Sequence, residues 1–218
     1  MKAIKNTTTN RFRHARHLSY DKLSMRLGKI CSEERQVTPE VLRSVIELAI
    51  DIAREGREGR KIGTMFVVGD EEFVLRLSRP LILDPLQGHG PEKTHIDDSD
   101  MRETVKELAQ LDGAFVVSNV GYVLSATRYL DARGQKLELP LGLGSRHVAA
   151  ASITRETNAV AVVVSESSVV RILDDGKLIA EIIPELWLFQ RERSHIAKPD
   201  IEEFEEKNIA VISEKKNV

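Results

Sequence analysis

The sequence predicts an α/β fold with a mixed central β-sheet flanked by helices, and three stretches carry that prediction. Residues 38–56 place apolar side chains at helical spacing. AVAVVVSE (159–166) is the most strongly apolar run of the chain, as a strand covered on both faces must be. VVRIL and KLIAEII flank DDGK (174–177), whose Asp175-Gly176 pair is a strong hairpin signal. Helices interleaved with both buried strands and hairpins point to a sheet of mixed direction.

The other elements follow in chain order. Thr38-Pro39-Glu40 opens the first helix with a capping-type Thr, Pro at the first helical position and an acid behind it. Val41, Leu42, Val45, Ile46, Leu48, Ala49 and Ile52 form its inner face, and Gly56 stops it. GTMFVVGD (63–70) reads as a buried strand and turn. Residues 72–78 alternate Phe73, Leu75 and Leu77 with Val74 and Arg76, and are read as a second strand. After a turn-rich connection containing DPLQGHG, Ser99 is expected to cap a helix with Met101, Val105, Leu108 and Ala109 inside. Strands are expected at 114–118 and 122–126, separated by a turn at 119–121, then a polar connection over 128–140 and an alanine-rich helix over 145–156.

At 218 residues and 41% hydrophobic, the chain can bury one substantial core. Its net charge of −2 gives no general argument for nucleic acid or membrane as partner. No apolar run approaches the roughly 20 residues of a membrane span, and Cys31 is the single cysteine, so no intramolecular disulfide forms. The reading is a soluble, cytoplasmic protein without membrane contact. Charge is uneven, however. Residues 1–30 hold eight Lys/Arg against Asp21, whereas Glu202, Glu203, Glu205 and Glu206 crowd the far end. The chain therefore divides into a basic N-terminal arm or helix (1–37), a main domain (38–190) and a charged C-terminal tail (191–218). The arm could touch phosphates, but without interleaved aromatics it reads better as a solvated arm or oligomer contact.

Two compact clusters break the surrounding pattern. In GLGSRH (142–147), Ser145 can cap the following helix. Its free N–H groups and the Arg146 fork suit phosphate, with His147 a further donor. The spacing is not that of a Walker loop, since no Lys-Ser/Thr follows the glycines. In LDGAFVVS (111–118), Asp112 directly precedes a strand, where a carboxylate can hold a divalent metal or orient a hydroxyl. Each cluster also has a purely structural reading, as an ordinary capped helix and as Asp-Gly turn chemistry. Ser165 and Glu166 close the central strand, where α/β proteins place their ligands. Convergence of the three would make a nucleotide-phosphate site with a metal.

Asp112-Gly113-Ala114, Ala126-Thr127-Arg128-Tyr129-Leu130, Gly144-Ser145-Arg146-His147 and Val164-Ser165-Glu166 together resemble the diadenylate cyclase domain family, of DisA type, over roughly residues 60–185. GTMFVVGD, DPLQGH and the alanines after His147 are most similar to its archaeal-type branch. The resemblance implies a diadenylate cyclase-like fold and condensation of two ATP into cyclic di-AMP with release of two pyrophosphates. It implies that Asp112 binds Mn²⁺ or Mg²⁺ or activates the ribose 3′-hydroxyl, with Arg146 and His147 joining it as catalytic residues. Gly113 and Ala114 would pass the ribose, Tyr129 and Leu130 would border the adenine, and Gly144, Ser145, Arg146 and His147 would hold phosphate, with Ser165 and Glu166 beside them. A two-fold symmetric product further implies self-association with active sites face to face. Much of the family has Arg-His-Arg where this chain has Arg146-His147-Val148. That departure keeps a second reading in play, a nucleotide-binding regulator with weak or no turnover. A third, nucleic-acid binding through the arm, has the weaker motif support.

Overall fold

The computed structural model of the chain describes residues 25–32, 35–57, 59–131, 137, 139–185 and 194–214. The elements are α1 (Pro39–Glu55), β1 (Thr64–Val68), α2 (Glu71–Arg76), β2 (Ser78–Pro80), α3 (Ser99–Leu108), β3 (Ala114–Val117), β4 (Val123–Leu130), α4 (Ser145–Glu156), β5 (Val160–Val164), β6 (Val170–Asp174), β7 (Lys177–Ile183), β8 (Pro199–Phe204) and β9 (Ile209–Glu214). The strands form one sheet in the order β2-β4-β3-β1-β5-β6-β7-β9-β8. Only the β1–β3 pair is parallel; every other neighbour is antiparallel. The mixed sheet expected from the sequence is thus the observed one, with AVAVVVSE at its centre.

Strand periodicity explains the layers. Phe66 and Val68 of β1, Phe115 and Val117 of β3, and Val160, Val162 and Val164 of β5 face the cluster that α1 covers. Their neighbours Met65, Val67, Ala114, Val116, Ala161 and Val163 face the opposite cluster, with Ala150, Ala151 and Ile153 of α4. These strands are therefore apolar throughout except at Thr64, because both faces are covered. Phe66 and Phe115 stack at 5.1 Å between ring centroids, and full burial of such a side chain is worth about 1.5–3 kcal/mol. The alanines of α4 let that helix lie close to the sheet. Asp175 and Gly176 both adopt left-handed backbone (φ 47° and 73°), as a tight β6–β7 hairpin requires.

Several local expectations are corrected. Residues 71–76 are helical, not a strand: of the alternating set Val74 is fully buried while Phe73 is exposed, and Glu71 and Glu72 occupy the first turn, where acids favour the helix dipole. The cap of α3 is Asp98, not Ser99, and its Oδ1 accepts from the N–H groups of Asp100 and Met101. Thr38 stands at the start of α1 but gives no side-chain cap; its N–H donates to Asn119 Oδ1 at 2.8 Å instead. β4 runs on to Leu130, so Arg128 and Tyr129 belong to the sheet and not to a connection. The segment expected as a charged tail supplies β8 and β9, whose inner residues Ala210, Val211 and Ile212 are buried while the acids of β8 lie on the outer edge.

Of the basic arm, residues 1–24 lie outside the described residues. Residues 25–30 are helical and dock on the last strands through Arg26, which is buried and donates to Asp200 Oδ2, the Asp200 carbonyl and Ser213 Oγ, each at 2.8 Å. Cys31 is buried, and burial pushes its thiol up to about 11, which keeps it unreactive. None of the helices of the described residues is long and apolar enough to cross a membrane.

The α3 cap provides a direct check on this local chemistry. Asp98→Ala should lower stability by about 1 kcal/mol in urea unfolding, whereas Ser99→Ala should change it by much less.

Candidate active site

β5 ends at the same end of the sheet at which its antiparallel neighbour β1 begins, and β3, parallel to β1, begins there too. That end gathers Gly63, Asp112, Glu166 and the start of α4. Arg146, on the first turn of α4, joins them: its two terminal nitrogens donate to Asp112 Oδ1 at 3.1 Å and to Glu166 Oε1 at 3.2 Å. The three clusters singled out in the sequence therefore meet through one guanidinium. The Arg146 side chain is 33% exposed, Asp112 85% and Glu166 71%, so these groups are open to a ligand.

Gly63 makes the Arg146 position possible. A Cβ there would lie 2.6 Å from Arg146 Nη1 and 3.1 Å from Glu166 Cγ. The sequence gives no signal for this role beyond a glycine before a strand, because the close approach exists only once α4 lies across β1. Gly113 has a different reason to be glycine. Its φ is +109°, and a Cβ would stand 2.5 Å from the Thr127 carbonyl carbon, so β4 requires the missing side chain.

The helix start differs in detail from the expectation. Gly144, not Ser145, is the N-cap residue; Ser145 is exposed at the first helical position and makes no capping bond. The His147 and Val148 N–H groups donate to the Gly144 carbonyl, which leaves the Ser145 and Arg146 N–H groups at the open helix end. A Cβ on Gly144 would meet nothing within 4 Å, so space lies in front of it. Ser165 closes the β5–β6 turn, its hydroxyl bonded to Ser167 Oγ at 2.8 Å and to the Val169 carbonyl at 3.1 Å. Ala114 and Leu130 are buried in the core on the α4 side and present no side chain to a ligand. Tyr129 is half-exposed, with the Arg79 guanidinium 4.6 Å from its ring centroid. Arg128 clamps the α2–β2 segment by donating to Ser78 Oγ and to the Leu75 and Ser78 carbonyls.

Beneath the helix start lies a cavity of about 470 Å³, lined among others by Gly144, His147, Ser165, Glu166, Arg171 and His195. His147 is buried, and its Nδ1 has no hydrogen-bond partner. Its Nε2 is 3.5 Å from Arg171 Nη1. Burial first, then the neighbouring Arg171 and His195, lower its pKa to about 4, against the weaker opposition of Glu181 and the Gly144 carbonyl. The ring at neutral pH is uncharged. Arg171, on β6, donates from Nε to Glu181 Oε1 at 2.8 Å, and the two side chains are only 5% and 2% exposed. Glu181 also accepts from Ser194 Oγ, from the His195 N–H (both 2.9 Å) and from His195 Nδ1 at 3.1 Å. This network holds Glu181 below the usual carboxylate range against the opposing effect of burial. Sequence reasoning did not single out Arg171, Glu181 or His195. The available signal was a pair of charges in two otherwise apolar strands, on either side of Asp175-Gly176 and directly opposite in register.

Among the described residues, no three His, Cys, Asp or Glu side chains gather as a metal-binding group. Asp112 and Glu166 supply two hard oxygen donors, the number with which Mg²⁺ is usually held when phosphates and water complete its shell. Two arginines, Arg146 and Arg171, stand here against three carboxylates, Asp112, Glu166 and Glu181. The residues fit a divalent ion whose remaining ligands come from outside the chain.

Residues 51–178 match the family model described as DisA bacterial checkpoint controller nucleotide-binding. A diadenylate cyclase of Methanocaldococcus jannaschii is 48% identical over 144 residues, covering 66% of this chain and 45% of that protein. One of Haloferax volcanii is 43% identical over 152 residues, covering 68% and 55%. The chain thus spans about half the length of the curated relatives it matches. The solved structure of DacA from Staphylococcus aureus aligns with a TM-score of 0.42 at 21% identity, covering 64% of this chain and 84% of that one.

The buried His147 predicts a pH dependence. A base whose pKa falls from 6.5 in the unfolded chain to about 4 in the fold contributes stability at pH above 6.5. That contribution is lost as pH falls toward 4, because the unfolded state takes up the proton first. Wild type should lose about 2 kcal/mol more than His147→Gln between pH 7 and pH 5, read from urea midpoints. Equal losses would place the titration elsewhere.

Proposed function

Since the chain belongs to the DisA-type nucleotide-binding family, whose members include curated diadenylate cyclases, we propose that it condenses two ATP molecules into cyclic di-AMP. The observation that supports this most is Arg146 spanning Asp112 and Glu166 above a cavity at an open helix start. In the reaction each ribose 3′-oxygen attacks the α-phosphorus of the other ATP in line. Two new P–O bonds form, and two pyrophosphates leave with the bonding electron pairs.

Arg146 is the phosphate fork, turning from its carboxylate partners to the triphosphate, and the free N–H groups at the start of α4 bind phosphate oxygen beside it. Asp112 and Glu166, released from Arg146, would hold Mg²⁺ or Mn²⁺; that ion, when bound, neutralises charge on the triphosphate. In the alternative role for Asp112, its carboxylate accepts the 3′-hydroxyl proton instead of holding the ion. His147, neutral at working pH, keeps an N–H donor without adding charge. Tyr129 offers an exposed ring for the adenine, while Leu130 and Ala114 act through the core behind it, as does the glycine at 113 through the backbone of β4. One chain offers one such site, so two chains meet with these faces opposed, through an isologous contact. The nucleic-acid reading rests on the basic arm, most of which lies outside the described residues.

Asp112→Asn should abolish product while ATP binding persists, and Arg146→Ala should weaken ATP binding by about 1.5–3 kcal/mol, the worth of charge-assisted bonds. Purified protein is incubated with ATP and Mg²⁺ or Mn²⁺, and the nucleotides are separated chromatographically. Cyclic di-AMP from wild type but not from Asp112→Asn supports the cyclase. ATP bound without product favours the regulator reading, with Val148 as the first position to restore to Arg.

A further inference from the structure

Arg171 has no role in the chemistry so far assigned, yet it is the most deeply buried charge at the cavity wall. It is 4% exposed, on a strand where Val170, Ile172 and Leu173 surround it and Asp174 ends the run, and it lines the cavity beneath the start of α4. Burying a guanidinium in such a place is costly unless it is paired, and a well-packed apolar pair is often at least as stable. Glu181 supplies the pairing in a particular way. It takes the Nε edge, and its own remaining acceptor capacity is filled by Ser194 and His195. The carboxylate thereby fixes the orientation of Arg171 through Nε and leaves Nη1 on the side of His147.

His147 does not use up those nitrogens. A guanidinium can only donate, so at 3.5 Å the imidazole Nε2 must be the acceptor and the ring proton must sit on Nδ1. A long contact to a neutral ring is a weak partner for a cation with five N–H donors. Meanwhile Val148, at the helix position that follows His147, is half-exposed and carries no charge. α4 therefore brings one arginine to the cavity from above, and β6 brings another from below.

We propose that Arg171 is a phosphate-binding residue of this site, donating to the polyphosphate tail of the bound nucleotide, with Glu181 as its positioning residue. The proposal rests on the nucleotide reading for its ligand, but its anion chemistry is testable without turnover. The expected effect separates ligands by their phosphates. A purely structural Arg171 would affect all nucleotides alike, whereas a phosphate ligand affects ATP and inorganic tripolyphosphate and spares AMP.

The test is calorimetric titration of the full chain with ATP, tripolyphosphate and AMP in Mg²⁺. Wild type is compared with the Arg171→Gln/Glu181→Gln double variant, which leaves neither charge buried alone, and with Arg171→Lys, which keeps the charge and loses the fork. Thermal unfolding confirms that each is folded. The double variant should lose about 10- to 100-fold in affinity for both polyphosphates and less than about 2-fold for AMP, with Arg171→Lys intermediate. If the double variant does not fold, Arg171→Lys alone carries the comparison. Equal losses for ATP and AMP, an unchanged polyphosphate affinity, or no polyphosphate binding by wild type overturns the proposal. Product formation is followed separately. A wild type that binds in the expected pattern but makes no cyclic dinucleotide sinks the cyclase reading and leaves Arg171 in place. A cyclising wild type whose Arg171 variants bind ATP normally does the reverse.

Discussion

Double-sided burial of β5 is the constraint from which the rest of this structure follows. Val160, Val162 and Val164 point to one core, Ala161 and Val163 to the other, and no position on the strand meets water. Such a strand requires a helix on each face, and α1 and α4 are those helices. It also requires an abrupt return to polar sequence where the strand leaves the core, which here is Ser165-Glu166. Because β1 is antiparallel to β5 and parallel to β3, the same end of the sheet receives the approach to β1 at Gly63 and the approach to β3 at Asp112. α4, entering over that end, lays Arg146 across all three. The site is a consequence of strand direction at the sheet centre.

Elements whose pattern is set by a single environment were legible in the sequence. α1 and α4, β5 and the Asp175-Gly176 hairpin each face one kind of surrounding along their whole length, so periodicity and turn chemistry decide them. α2 was not legible, since six residues with one buried position fit alternation as well as a helical turn. β8 was hidden because an edge strand can carry Glu202 and Glu203 without penalty and so reads as a solvated tail, and the short apolar run of β9 was taken with it. For the site, motif spacing identified Asp112, Arg146 and Glu166, which the fold joins. The side chains of Ala114 and Leu130, singled out with them, are buried in the core. Gly63 escaped because its contacts lie across the sheet, and the Arg171–Glu181 pairing because a bulge between Ile172 and Leu173 shifts the register that the Asp175-Gly176 turn sets.

The two arginines at the cavity are held in physically different ways, and the difference matters for ligand entry. Arg146 pairs with carboxylates that are largely in water, and exposed ion pairs of this kind are worth about 0–1 kcal/mol. On the proposed reading, exchanging them for a phosphate costs little and frees Asp112 and Glu166 for a cation. Arg171 cannot exchange its partner. Separating it from Glu181 would leave a buried charge alone, which costs several kcal/mol, so its guanidinium is preorganised before any ligand arrives.

The division bears on the proposed polyphosphate ligand. A ligand can be met by groups that must first exchange a partner or by groups already fixed, and fixed groups stabilise its charge without reorganisation. Arg146, tied to Asp112 at the mouth, belongs to the first kind, and Arg171 at the cavity floor to the second. Neutral His147 between them keeps the two guanidiniums from being joined by a third positive charge, which would raise the cost of the ligand-free state. If Arg171 holds phosphate as proposed, the site keeps a second guanidinium despite the apolar Val148. A guanidinium at that position would stand half in solvent, where a charge is screened. The one supplied by β6 acts from within the fold, where a hydrogen bond to phosphate is electrostatically stronger.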